Sequence, residues 1–185
     1  MTIQLPTVRT FFDPTTGTFS HVVADPTLAV AAIIDPVLDY DPATRRTSTE
    51  SAAALLANVE REHLRVEWIL ETHAHADHLT SAQWLKARLR GARVGIGAGI
   101  TQVQQTFKSR LHLEADFPAD GRQFDALFRP GDRFALGDLQ AHVLATPGHT
   151  PDSVTYLIGD TAFVGDTIFA RSEEHTSELQ SRFGI

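Results

Sequence analysis

Short apolar runs separated by turn residues dominate the first third of the chain. Val8 to Phe12 and Phe19 to Val23 read as two strands joined through Asp13-Pro14-Thr15-Thr16-Gly17. Ala29 to Ile34 is an unbroken apolar run, and the following Asp35-Pro36 ends it, with the proline biasing Asp35 to extended backbone. Leu38 to Arg46 is polar and loop-like. The period then changes from two to 3.6. Ala52, Leu55, Leu56 and Val59 recur at helical spacing behind Thr47-Ser48-Thr49-Glu50, a capping-box pattern, and predict a helix running to about His63. Arg65 to Thr72 is again a strand.

Leu79, Ala82, Leu85 and Leu89 predict a second helix stopped by Gly91, followed by a short strand over 92–96 and a third helical stretch over 100–107. Residues 111–127 are irregular and rich in Asp, Phe and Pro. From Gly131 strands follow one another closely. Arg133 to Leu136 and Leu139 to Leu144 flank Gly137-Asp138, and Val154 to Ile158 and Ala162 to Val164 flank Gly159-Asp160-Thr161, so both pairs read as hairpins. Helix and strand interleave in the first half and strands dominate the second, which suits an α/β layered domain.

With 185 residues, the chain is long enough for one domain with a substantial core. A net charge of −7 argues against a nucleic-acid partner. No run is apolar for long enough to enter a membrane, and nothing at the N-terminus resembles an export signal, so the default expectation is a cytoplasmic protein. There is no cysteine, which removes thiolate metal sites, disulfides and a cysteine nucleophile. Any metal must be held by nitrogen and oxygen.

The chemistry concentrates in Thr72-His73-Ala74-His75-Ala76-Asp77-His78, directly after an apolar strand. His73 and His75 are two apart and point to one side of an extended backbone, while Asp77 and His78 fall where the chain should turn into a helix near Leu79. Three histidines and an aspartate this close are hard to explain as core or as a solvated face. Two later strand ends offer more. Ala145 to Ser153, held by two prolines and a glycine, presents His149, and Gly165-Asp166-Thr167 presents Asp166. Alone, each reads as an ordinary loop residue; beside the cluster, both become candidate ligands. Asp35, at a strand end, reads equally as a turn residue or as a carboxylate that orients a ligand histidine. His21, His112 and His142 have no such company, and His63 reads as a helix-end residue.

H-x-H-x-D-H at 73–78, T-P-G-H-T at 146–150 and G-D-T at 165–167 resemble, in order and spacing, the metallo-β-lactamase-fold superfamily. The resemblance covers roughly residues 8–170 and implies a four-layer αββα sandwich with its metal site at one edge of the two sheets. Phe11-Phe12-Asp13-Pro14, the segment Ile33 to Tyr40 and Glu71 to His78 resemble more narrowly the persulfide dioxygenase branch, itself similar to glyoxalase II. That resemblance implies one iron(II) on His73, His149 and Asp166, leaving positions for a thiolate and dioxygen, with glutathione persulfide oxidised to sulfite. The hydrolases of the superfamily imply instead two zinc ions. His73, His75 and His149 would hold the first, Asp77 and His78 the second, with Asp166 between them, and an activated water would attack a thioester. Asp77 is also the candidate catalytic residue. The implied partner is a small thiol, and the resemblance is compatible with a homodimer.

The family pattern continues past Ala170 with a glycine-rich loop, an arginine at the glutathione end of the substrate and a last histidine. Here residues 171–181 read instead Arg171-Ser172-Glu173-Glu174-His175-Thr176-Ser177-Glu178-Leu179-Gln180-Ser181, which resembles the translation of a short-read sequencing adapter. The expectation is a C-terminally incomplete domain over 1–170 with a non-native tail over 171–185, and His175 is not counted as a ligand. A third expectation follows, that the chain is an inactive metal-binding fragment.

Overall fold

A computed structural model describes residues 5–168; the expectations placed on the tail lie outside the described residues. The first strands are β1 (Thr7–Phe12), β2 (Phe19–Asp25), β3 (Val30–Ile34), β4 (Val37–Asp41) and β5 (Arg46–Ser48). Helix α1 (Glu50–Arg61) leads into β6 (Arg65–Leu70), β7 (Leu79–Thr80) and α2 (Ala82–Lys86). Then come β8 (Arg93–Gly97), α3 (Ile100–Arg110) and β9 (Ala126–Phe128), and after them β10 (Arg133–Leu136), β11 (Leu139–Ala145), β12 (Val154–Ile158) and β13 (Thr161–Phe163). A six-stranded sheet has the order β1-β2-β3-β6-β8-β9, a four-stranded sheet the order β10-β11-β12-β13, and a small sheet the order β5-β4-β7. β3, β6, β8 and β9 run parallel, as strands joined by helical crossovers do.

Every residue of β3 is buried because it lies between two apolar layers. Ala32 and Ile34 face the four-stranded sheet and join Trp68, Leu70, Phe128, Val143 and Tyr156 in the core between the sheets. Ala31 and Ile33 face the other way, onto Leu55 and Val59 of α1 and Leu85 of α2. The register against β6 slips between Ala31 and Ala32, whose partners are Val66 and Trp68. Glu67 is therefore an inserted residue, and the bulge lets Val66 face the helices while Trp68 faces the sandwich. Among the described residues the layers are helix, sheet and sheet. On the outer side of the four-stranded sheet, Gln140 and Leu144 are exposed and His142 is half-buried.

Four expectations needed correction. The polar stretch 38–46 is not a loop but the β4–β5 hairpin, whose Asp41 caps its own turn through the Ala43 amide. The capping box does not form: Thr47 pairs with Tyr40 in that hairpin, and the Ser51 amide of α1 is satisfied by Asp39 from β4. Leu79 is exposed and belongs to β7, so the second helix starts only at Ala82. Residues 126 and 127, at the end of the stretch read as irregular, belong to the edge strand β9.

Candidate metal centre

Asp35 is not extended. Its φ is +49°, a left-handed conformation that a non-glycine residue adopts only when its surroundings hold it there. Here every polar group of the residue is engaged. Its amide donates to the Leu70 carbonyl, and its own carbonyl accepts the Ser20 hydroxyl at 2.6 Å. One carboxylate oxygen accepts the Thr72 amide at 2.7 Å and the other the Thr72 hydroxyl at 2.8 Å. The end of β3 is thus locked to the end of β6.

That lock decides a tautomer. With the Thr72 hydroxyl proton given to Asp35, its oxygen is left to accept from His73 Nδ1, 3.0 Å away. His73 Nε2 then carries a lone pair, and this atom is buried with no hydrogen-bond partner. Burial, and then the charge on His75, push the His73 pKa down to about 3, so the ring is neutral near neutral pH. His78 repeats the arrangement, with Nδ1 3.0 Å from the Leu79 carbonyl and Nε2 buried and unpartnered. A buried imidazole nitrogen without a partner is costly unless something binds it. Two such nitrogens fit a metal.

His73 Nε2 points toward Asp166, whose Oδ2 is 3.9 Å away and also 3.4 Å from His149 Nε2. Ligand atoms of His73, His149 and Asp166 all lie within 4.8 Å of one another, and so do those of His75, Asp77 and His78. The elements responsible are distinct. His73 follows β6 in the six-stranded sheet, His149 sits in the β11–β12 loop, and Asp166 lies in a single 3-10 turn (Gly165–Thr167) just after β13. Burial raises the pKa of Asp166, and the neighbouring His149 partly offsets this. The sequence-named residues do converge, as two adjoining groups.

His75 is held from behind. Its Nε2 hydrogen-bonds Asp35 Oδ1 at 3.2 Å and stands 3.2 Å from Glu71 Oε2. Burial works against a charge here, but the two carboxylates outweigh it and raise the His75 pKa well above its ordinary value. With Nε2 occupied, Nδ1 is the nitrogen left for a metal, which would have to displace a proton to bind there. Asp77 is exposed on the rim of the motif loop. A cleft of about 1090 Å³ between that loop and the β4–β5 hairpin is lined by Tyr40, Arg46, Asp77 and His78. A smaller one of about 360 Å³ reaches Asp35, His75 and Asp166 from the side of β2 and β13.

Three residues here were not singled out from the sequence. Glu71 is buried, and Thr80 donates its hydroxyl to it. Asp152 is buried beneath the motif loop. His21 lines the smaller cleft, with Nδ1 3.0 Å from the Thr10 hydroxyl. Strand register would have found His21, because it pairs with Ile34, the neighbour of Asp35. Glu71 and Asp152 each adjoin a motif, and only packing shows that both are inside.

Residues 16–184 match the family profile of the metallo-beta-lactamase superfamily. The chain belongs to that superfamily. A beta-lactamase hydrolase-like protein of Xylella fastidiosa is 51% identical over 167 residues, which are 90% of this chain and 38% of the relative. The human mitochondrial persulfide dioxygenase ETHE1 is 30% identical over 166 residues, 89% of this chain and 53% of that protein. The solved structure of ETHE1 from Myxococcus xanthus superimposes with a TM-score of 0.67 at 30% identity, covering 89% of this chain and 59% of the other. Within the superfamily the chain is similar both to proteins named persulfide dioxygenase and to one named hydroxyacylglutathione hydrolase. It spans between 38% and 59% of the length of these relatives. No helix of the described residues is long and apolar enough to cross a membrane.

Proposed function

We propose that this chain carries the metal centre of a non-haem iron(II) persulfide dioxygenase, with His73, His149 and Asp166 holding one ferrous ion and glutathione persulfide as the substrate. The observation that carries the reading is the unpartnered, buried Nε2 of His73, which faces one further histidine and one carboxylate. Two imidazoles and a carboxylate on one face are the donor set of iron oxygenases, and an ion held there supplies redox chemistry and open positions for a sulfur substrate and dioxygen. The chain's own residues do the rest. Thr72 and Asp35 hold His73 in its ligating tautomer, and Asp35 with Glu71 keeps His75 turned to its carboxylate partners. Arg46 lines the larger cleft and offers a guanidinium to a carboxylate-bearing thiol. The relative named a persulfide dioxygenase matches over 89% of the chain.

A second reading is supported by the adjoining group of His75, Asp77 and His78 and by the 51% identical relative named as hydrolase-like. In that reading His73, His75 and His149 would hold one zinc ion and Asp77 and His78 a second, with Asp166 available to both, and the ions would activate water for hydrolysis of a thioester, with Asp77 taking part in the chemistry. Metal content and oxygen consumption separate the two. After anaerobic purification the dioxygenase reading expects about one iron per chain and oxygen uptake with glutathione persulfide. Two zinc ions per chain with thioester cleavage and no oxygen uptake would overturn it. Metal binding with neither activity would leave the chain an inactive fragment. The residues 1–170 are proposed as the domain that carries this centre, soluble in the cytoplasm.

A further inference from the structure

We propose that Asp152 is a positioning residue of the metal centre, clamping the loop of His73 and His75 to the loop of His149 through the Ala74 amide. Asp152 lies three residues beyond His149, between Pro151 and the start of β12, and is only 3% exposed. Its Oδ2 accepts the backbone N–H of Ala74 at 2.9 Å, across 78 residues of sequence. Ala74 is the residue between the two motif histidines, so rotation of its peptide would swing both. Two residues further on, the Val154 amide donates to the Thr72 carbonyl at 2.9 Å. One short stretch after His149 therefore bonds the backbone on both sides of His73.

The fold makes room for this contact. A Cβ on Gly97 would come 2.8 Å from the Asp152 carbonyl oxygen, and one on Gly99 2.8 Å from the Asp152 Cα. Gly99 has φ −59°, which any residue adopts, so what its place needs is space and not an unusual backbone. The end of β8 is thus stripped of side chains where Asp152 seats. The other carboxyl oxygen, Oδ1, is buried without a hydrogen-bond partner among the described residues. A loop selected only for packing would fill this position with an apolar side chain and leave no orphan oxygen. An acid kept here under such conditions fits a group whose one bond matters to the site it borders. Ligand geometry tolerates errors of only about 0.5 Å, and a shared amide clamp is a direct way to hold two ligand loops in step.

The role rests on the metal centre proposed above but not on the choice of metal or reaction. It is tested with cobalt(II) as the probe on the full chain, read by chelator competition and by the visible absorption of the bound ion. Asp152→Ala is expected to weaken cobalt binding by about 10- to 100-fold and to alter the absorption bands, while circular dichroism stays that of the wild type. Asp152→Asn, which keeps an oxygen for the Ala74 amide, is expected to bind within about threefold of wild type with its spectrum. A folded Asp152→Ala chain with wild-type affinity and spectrum overturns the role, and so does an asparagine variant as weak as the alanine one. If Asp152→Ala does not fold, Gly99→Ala decides, since it displaces Asp152 without removing it: weakened binding supports the clamp and unchanged binding overturns it. A wild-type chain that takes up no cobalt fails earlier, at the metal centre itself, and overturns both.

Discussion

His73 and His75 stand two residues apart and titrate in opposite directions. Burial and the charge of His75 bring the His73 pKa to about 3, whereas Asp35 and Glu71 raise that of His75 against the effect of burial. Both rings have an ordinary value of 6.5 once the chain unfolds. Below 6.5 and down to about 3, the unfolded chain gains a proton at His73 that the folded chain refuses, so stability falls as pH falls through that window. Above 6.5 the unfolded chain loses a proton at His75 that the folded chain retains, so stability falls again as pH rises toward the raised folded value. Each limb is limited to about 1.4 kcal/mol per pH unit for one proton. The metal-free chain is therefore expected to be most stable near neutrality, with urea midpoints lower at about pH 4.5 and 8.5 than at about 6.5. A midpoint that climbs steadily across the range would show that the two carboxylates do not hold His75 charged.

At the scale of elements, the centre is assembled from three segments that each follow a strand, and the one after β13 is a single 3-10 turn. Gly165 has φ +51°, and a Cβ there would lie 2.8 Å from the Thr72 Cβ, against the residue that sets the His73 tautomer. Gly91 has φ +81° with nothing within 4 Å of the added atom. Alanine at either position carries a backbone strain of about 1–3 kcal/mol. Only Gly165→Ala also pushes Asp166 away from Thr72 and His73, so only it is expected to lower metal affinity, by about tenfold or more. Thermal melts beside chelator titrations check this, and equal metal affinities in the two variants would free Gly165 of any part in placing Asp166. Such contacts also mark where sequence reading ends. The ligand-bearing strand ends were legible because strand period and motif spacing are local, and β6, β11, β12 and β13 came out close to their observed bounds. The β4–β5–β7 sheet was not, because short polar strands such as Arg46–Ser48 are decided by pairing partners and not by their own residues. Asp35 was misread for the same reason: the proline after it favours extended backbone, but bonds to Leu70, Thr72 and Ser20, far along the chain, hold it left-handed.

At the scale of the whole molecule, the two ligand sources sit on different sheets. His73 to His78 extend from the six-stranded sheet, while His149 and Asp166 extend from the four-stranded one, and the core of Trp68, Phe128 and Tyr156 lies between. An ion bound by His73, His149 and Asp166 would therefore tie together the two layers that unfolding must separate. Unfolding scatters these three residues, which are 76 and 17 positions apart in sequence, so the ion binds the folded chain in strong preference. At a free metal concentration about 100 times the dissociation constant, this preference adds about 2.7 kcal/mol to stability. For a chain of this size each kcal/mol moves the melting temperature by about 2–4 °C, so saturation is expected to raise it by about 5–10 °C. A chelator should reverse the shift. His149→Ala should abolish most of it, because the four-stranded sheet then keeps only Asp166, whereas Ala substitution of His142, on the outer face of that sheet, should leave it intact. The measurement is a pair of melts for each protein, with and without metal. A His149→Ala chain that gains as many degrees as the wild type would place the ion wholly within the motif loop, on His75, Asp77 and His78, and would remove the bridge between the sheets.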